Sequence, residues 1–170
     1  MKSSARPLAR AGIASALSVL VLLLASVLPT ARLALVCLAS LGPALCALHD
    51  SPRWALGCFA AAALLSLLLL PQKGVALGYA VFAGYYPVLK LRLERLGNRL
   101  HRLAFKLAVF NAALAVLWLG FHALSAPALP LGRFAVPAGV LIANAAFLVY
   151  DYALDQIILF YLRKIAGRVK

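Results

Sequence analysis

The sequence predicts an all-α integral membrane bundle of about six helices, and three observations carry that prediction. Of the 170 residues, 65% are hydrophobic and 12% charged, against roughly 25% charged in a soluble domain. The apolar residues gather in runs close to the about 20 that a bilayer core requires. The 17 Lys and Arg residues fall mainly between those runs, where membrane orientation is encoded. The acidic complement is Asp50, Glu94, Asp151 and Asp155. A net charge of +13 then reads as topology and lipid contact. A nucleic-acid partner is not expected, because such binders gather their cations on one soluble face.

The first apolar run, 11–28, follows Lys2, Arg6 and Arg10 in the manner of a secretory leader. It exceeds the roughly 7–15 apolar residues of a leader, and further spans follow, so it reads as a retained helix. Pro29-Thr30-Ala31-Arg32 turns the chain into a second helix, 33–48, with a kink signal at Gly42-Pro43. A polar turn, His49 to Arg53, leads to a third helix, 54–70, closed by Pro71-Gln72-Lys73-Gly74. The fourth helix, 75–89, runs into a basic amphipathic connection, 90–106. A fifth helix, 107–124, a Pro-rich loop and a sixth helix, 135–162, complete a single multi-pass domain over 1–170.

Orientation follows from where the cations lie. With the N-terminus inside, the inner segments hold 14 of them, including Arg53, Lys90, Arg99, Lys106 and Arg163, and the outer turns hold Arg32, Lys73 and Arg133. Cytoplasmic loops carry the excess of Lys and Arg, so both termini are expected in the cytoplasm and the protein in the cell membrane. Within 90–106, Leu93, Leu96, Leu100 and Leu103 oppose Arg92, Arg95, Arg99 and Arg102. Two arrangements fit: a helix lying in the interface, or two helix ends meeting at a Gly97-Asn98 turn. The segment serves either as a lipid anchor or as a docking surface for a cytoplasmic partner.

Polar residues inside the spans are costly and turn inward, where they mark function or simply bond helices together. Tyr79, Tyr86 and Lys90 stand at i, i+7 and i+11 on the fourth helix, one stripe at 3.6 residues per turn. Asn111, Trp118 and His122 repeat the spacing on the fifth, and Asn144, Asp151 and Asp155 on the sixth. Chain direction puts Tyr79, Trp118, His122 and Asn144 in the outer half, as the lining of a small-molecule pocket. It puts Tyr86, Lys90, Asn111, Asp151 and Asp155 in the inner half, as a charge-paired cluster. There, Lys90 is expected to meet Asp155, with Asp151 bonding Asn111 or Tyr86.

No chemistry is legible elsewhere. Cys37, Cys46 and Cys58 lie in apolar stretches without a CxxC spacing or adjacent His, which reads as packing and predicts neither a disulfide nor a metal site. There is no HExxH, P-loop or GxSxG motif, so neither an enzyme nor a cofactor is expected. Small residues permit close helix contact at Gly12 and Ala16 on the first helix, Gly57 and Ala61 on the third, and Ala76, Ala80 and Gly84 on the fourth.

In its length, six helices, cytoplasmic termini and basic N-terminus leading into an alanine-rich first helix, the chain resembles the substrate-binding S components of energy-coupling factor (ECF) vitamin importers. That resemblance implies a vitamin or micronutrient ligand near the outer face. It also implies a transmembrane coupling subunit driven by two cytoplasmic ATPases. Gly12 and Ala16, with Ala9 and Ala11, match the family's docking surface; the long basic connection is a departure from its pattern. The alternative is a scaffold or assembly protein, since the cell-shape protein MreD is similarly small and multi-pass. A scaffold would work through 90–106 and needs no polar groups in the outer half.

Overall fold

The computed structural model describes residues 5–94, 97–124 and 135–164. They are helical, with no strand among them. Six spans are long and apolar enough to cross a membrane: Ala5–Val27, Arg32–His49, Pro52–Leu69, Lys73–Leu93, Arg99–Gly120 and Val136–Tyr161. They are built from α1 (Ala5–Val27), α2 (Arg32–Ala39), α3 (Leu41–His49), α4 (Pro52–Leu69), α5 (Lys73–Gly78), α6 (Tyr86–Leu93), α7 (Arg99–Leu124) and α8 (Ala135–Lys164). A π-helical turn, Tyr79–Ala83, joins α5 to α6.

The second span breaks between α2 and α3 because of Pro43. Proline brings no N–H, and its ring crowds the carbonyl four residues back, here that of Ala39. The freed Ala39 carbonyl accepts a 2.8 Å hydrogen bond from Ser18 Oγ on α1, so the kink is satisfied from the neighbouring helix. Gly42 makes the approach possible: a Cβ there would lie 2.3 Å from Ser18 Oγ and 3.0 Å from the Ala14 carbonyl oxygen. Gly42→Ala is therefore expected to cost about 1–3 kcal/mol through overpacking, read as a lower melting temperature in detergent. An unchanged melting temperature would mean that α1 and α3 do not meet this closely.

Around that contact, α1 packs on α2, α3 and α4. Val19, Leu22 and Ala25 of α1 are buried with Ala39, Ala62, Ala63, Val75, Ala76 and Tyr79. Alanine dominates because small side chains let backbones approach where lipid offers no hydrophobic drive for association. Three other buried serines satisfy their hydroxyls locally, Ser15 on Gly12 O, Ser26 on Leu22 O and Ser66 on Ala63 O.

The fourth span is irregular for a similar reason. Pro87, in the first turn of α6, cannot donate and would crowd the Ala83 carbonyl. The helix relaxes before it into the π turn, in which Gly84 N bonds Tyr79 O across five residues at 2.8 Å. Gly84 is itself required there, since a Cβ would fall 2.4 Å from the Phe59 ring.

The connection 90–106 takes the second of the two arrangements open to it. Lys90 to Leu93 end α6, Arg99 begins α7, and Asn98 Oδ1 accepts the Leu100 N–H at 3.0 Å as α7 starts. It is not one continuous interfacial helix. The fifth helix thus starts at Arg99, eight residues before the expected Leu107, and α8 runs unbroken through Asp151 and Asp155. Helices α7 and α8 stand apart from the rest. In the apolar 18-residue stretch that marks each of their spans, 11% and 6% of the residues are buried, against 56% in the fourth span.

Candidate functional site

A charged cluster joins the fourth span to α7 and α8. Its anchor is Lys90, which is fully buried. Its ammonium lies 2.6 Å from Asp151 Oδ1 and 2.8 Å from Asp155 Oδ1, and it also donates to the Asp151 main-chain carbonyl. Three acceptors thus meet three N–H donors, the condition under which a buried ammonium is tolerable. Asp151 is the hub. Its Oδ1 accepts from Tyr86 Oη at 2.6 Å, and Lys106 Nζ contacts Oδ2 at 2.8 Å and Oδ1 at 3.1 Å. Tyr86 is fully buried and Lys106 nearly so.

Local sequence places these groups. On α8, Phe147, Leu154 and Ile158 are buried, and Asp151 shares their face at i+4 from Phe147. On α7 the buried positions among the described residues are Lys106 and Ala113, with Phe110 partly buried among the aromatic residues. An aromatic layer adjoins the ions. Phe110 and Phe147 stack at 4.6 Å, and Phe82 sits edge-on to both at 5.1 and 5.6 Å. Tyr86 packs on Phe82 and Phe147. Tyr150 reaches across to the kink of the second span, its hydroxyl 2.8 Å from Ser40 Oγ. Aromatic pairs of this kind contribute about 0.5–1.5 kcal/mol each beyond their burial.

Glu94, at the C-terminal cap of α6, borders the cluster beside the Asp155 carboxylate. Burial pushes its carboxyl up from the ordinary value, Asp155 adds to the rise, and Lys90 and Lys106 oppose it. Arg102 on α7 turns a guanidinium N–H toward the Glu94 main-chain carbonyl at 3.5 Å.

Of the residues expected to line an outer pocket, Tyr79 lies apart from Trp118 and Asn144. Tyr79 is fully buried in the core of α1, α2 and α4; the π turn rotates it away from Tyr86. Trp118 lines an open groove of about 510 Å³ between α7 and α8, with Asn111, Leu114, Ala115, Leu119, Val136, Gly139 and Val140. Asn144 bonds Asn111 reciprocally at 2.9 and 3.1 Å. The remaining amide hydrogens go to Leu107 O and Val140 O, so every donor of the pair is used. Asn111 therefore meets Asn144 and not Asp151. The His122 side chain lies outside the described residues.

Lys106 and Glu94 are the members that sequence reasoning missed. The available signal was Lys106 sitting between Phe105 and Leu107, an apolar setting unlike that of the preceding arginines. Gly12 and Ala16 are exposed on the outward side of α1, whereas Ala11 is buried with Cys46, Ala55, Cys58 and Val88. The cysteines are free thiols, and among the described residues no three His, Cys, Asp or Glu side chains group to hold a metal. No protein-family profile matches the sequence, and neither a curated protein nor a solved structure matches it significantly.

Proposed function

We propose that the chain is the substrate-binding component of a cell-membrane importer for a micronutrient-sized molecule, with both termini cytoplasmic. The observation that carries this reading is the groove between α7 and α8. Its volume of about 510 Å³ falls within the roughly 300–1,000 Å³ of small-molecule sites. It combines an apolar wall with the Trp118 indole, a surface suited to a small, largely apolar organic ligand. The orientation rests on 14 inner cations against three outer ones, which puts the groove in the outer half and the charged cluster in the inner half. The sequence has no P-loop, so energy would come from partner ATPases through a transmembrane coupling subunit. The exposed Gly12 and Ala16 face, where a Cβ on Gly12 meets nothing within 4 Å, is open for such docking.

The test is a binding measurement on purified protein, with mass spectrometry of any co-purifying molecule. A bound ligand stabilises by about 2.7 kcal/mol at a hundredfold excess over its dissociation constant, a readable thermal shift. Trp118→Ala is expected to abolish that shift while leaving the unliganded melting temperature unchanged. An unchanged shift removes Trp118 from the site.

A second reading, a membrane scaffold, is favoured by the bare faces of α7 and α8. Leu119, Leu141, Ile142, Val149 and Tyr152 are each more than 60% exposed. Under it, the purified chain brings down protein partners and no small molecule.

A further inference from the structure

We infer that the groove between α7 and α8 takes an uncharged, lipid-soluble molecule bearing a hydrogen-bond donor, a hydroxyl or N–H group, and that Asn111 Oδ1 accepts from that donor. This names the ligand class for the small-molecule reading above and rests on it.

The hydrogen bonds at one end of the groove lead there. Each asparagine side chain brings two N–H donors and a carbonyl oxygen able to accept twice. Asn111 donates to Leu107 O and to Asn144 Oδ1, both at 2.9 Å. Asn144 donates to Val140 O at 2.8 Å and to Asn111 Oδ1 at 3.1 Å. The two helix carbonyls fix the amide orientations, because a flipped amide would set oxygen against oxygen. Every amide donor is thus spent, while each Oδ1 accepts one bond from the pair and has room for a second. Asn111 is exposed and lines the groove, so its amide offers a ligand an acceptor and no donor.

Charge narrows the class further. Besides Asn111 and Trp118, the described lining consists of Leu, Ala, Val and Gly. The nearby cluster does not help an ion, since Lys106 and Asp151 are spent on each other. A charged ligand would lie in an apolar groove without a counter-charge, which is costly within a membrane. A ligand with acceptors alone would set them against the Asn111 oxygen. A neutral molecule with a donor avoids both costs.

The route of entry follows from position. Asn111 stands about 18 Å and Trp118 about 28 Å along α7 from Arg99, at 1.5 Å per residue. The groove therefore occupies the part of the span away from the charged cluster. Leu119 in its lining is 67% exposed, and Leu141, next to Val140, is 72% exposed. In a bilayer these side chains meet acyl chains, so the ligand arrives by partitioning into the lipid.

Three probes of similar size test this on the full chain in lipid nanodiscs: thymol, its methyl ether, and the anion cuminate. Uptake is measured by equilibrium dialysis at neutral pH, with protein-free nanodiscs as the reference for partitioning. Thymol is expected to bind the wild-type protein about 2–10-fold more tightly than its ether, the worth of one net hydrogen bond. Cuminate should show no protein-dependent uptake. Replacing both amides, Asn111→Leu with Asn144→Leu, leaves neither one unpaired and should remove the preference for thymol while the ether binds as before. Equal binding of thymol and ether to the wild-type protein, or a preference for cuminate, would overturn the ligand class and leave the groove as a ligand site. So would a thymol preference that survives in the double variant. No protein-dependent uptake of any probe would overturn the groove as a small-molecule site, and this inference with it.

Discussion

Replacing Asp151 with alanine is expected to destabilise the protein by about 3–5 kcal/mol, the range for removing one partner of a buried ion pair. The substitution takes the acceptor from Tyr86 and both carboxylate contacts from Lys106. Lys90 keeps Asp155 at 2.8 Å, so the damage concentrates at Lys106, left nearly buried with its charge uncompensated. That asymmetry gives the experiment its control. In the Asp151→Ala background, Lys106→Met keeps the length of the side chain and removes the stranded charge. It should recover a large part of the lost melting temperature in nanodiscs. If the second substitution only adds to the loss, Lys106 is not paired with Asp151.

Much of this arrangement was legible in the sequence, and the departures have identifiable causes. Hydropathy marks all six spans because each carries nearly enough apolar residues to cross a bilayer. Pro43 and Pro87 mark the irregular places because proline cannot complete a helix ladder. The spacing on the sixth helix leads to Asp151 and Asp155, since α8 is regular through both. Spacing misleads where the helix is not regular. The stripe from Tyr79 to Tyr86 assumes 3.6 residues per turn, but the five-residue bond from Gly84 to Tyr79 inserts an extra residue and turns Tyr79 into a different core.

On α7 the stripe through Asn111 and Trp118 is rotated by one residue from the inward face. Phe110, not Asn111, packs with Phe82 and Phe147. Polar residues alone set the expected face, while the aromatic layer decides the real one. Lys106 was obscured for a related reason. It ends a run of cations whose other members read as interfacial, and charge counting does not distinguish a lysine that anchors from one that turns inward.

Lys90→Ala is the second substitution of large expected effect. It removes the one fully buried cation among the described residues, leaving Asp155 without its ammonium while Asp151 retains Lys106 and Tyr86. An unpaired Asp within a span is costly, about 2.5–3.5 kcal/mol at a helix centre on insertion scales. Asp155→Asn removes the stranded charge and keeps the shape, so the double variant should recover much of the loss.

The most direct measurement is therefore the double-mutant cycle of Lys90→Ala and Asp155→Asn, followed by equilibrium unfolding in lipid nanodiscs. A charged cluster that joins the fourth span to α8 predicts a coupling energy clearly above the about 0.3–0.5 kcal/mol within which independent sites add, with the double variant more stable than Lys90→Ala alone. Additive losses, with the double variant the least stable of the four proteins, would mean that Lys90 and Asp155 do not meet and that the fourth span is not tied to α8 by this pair.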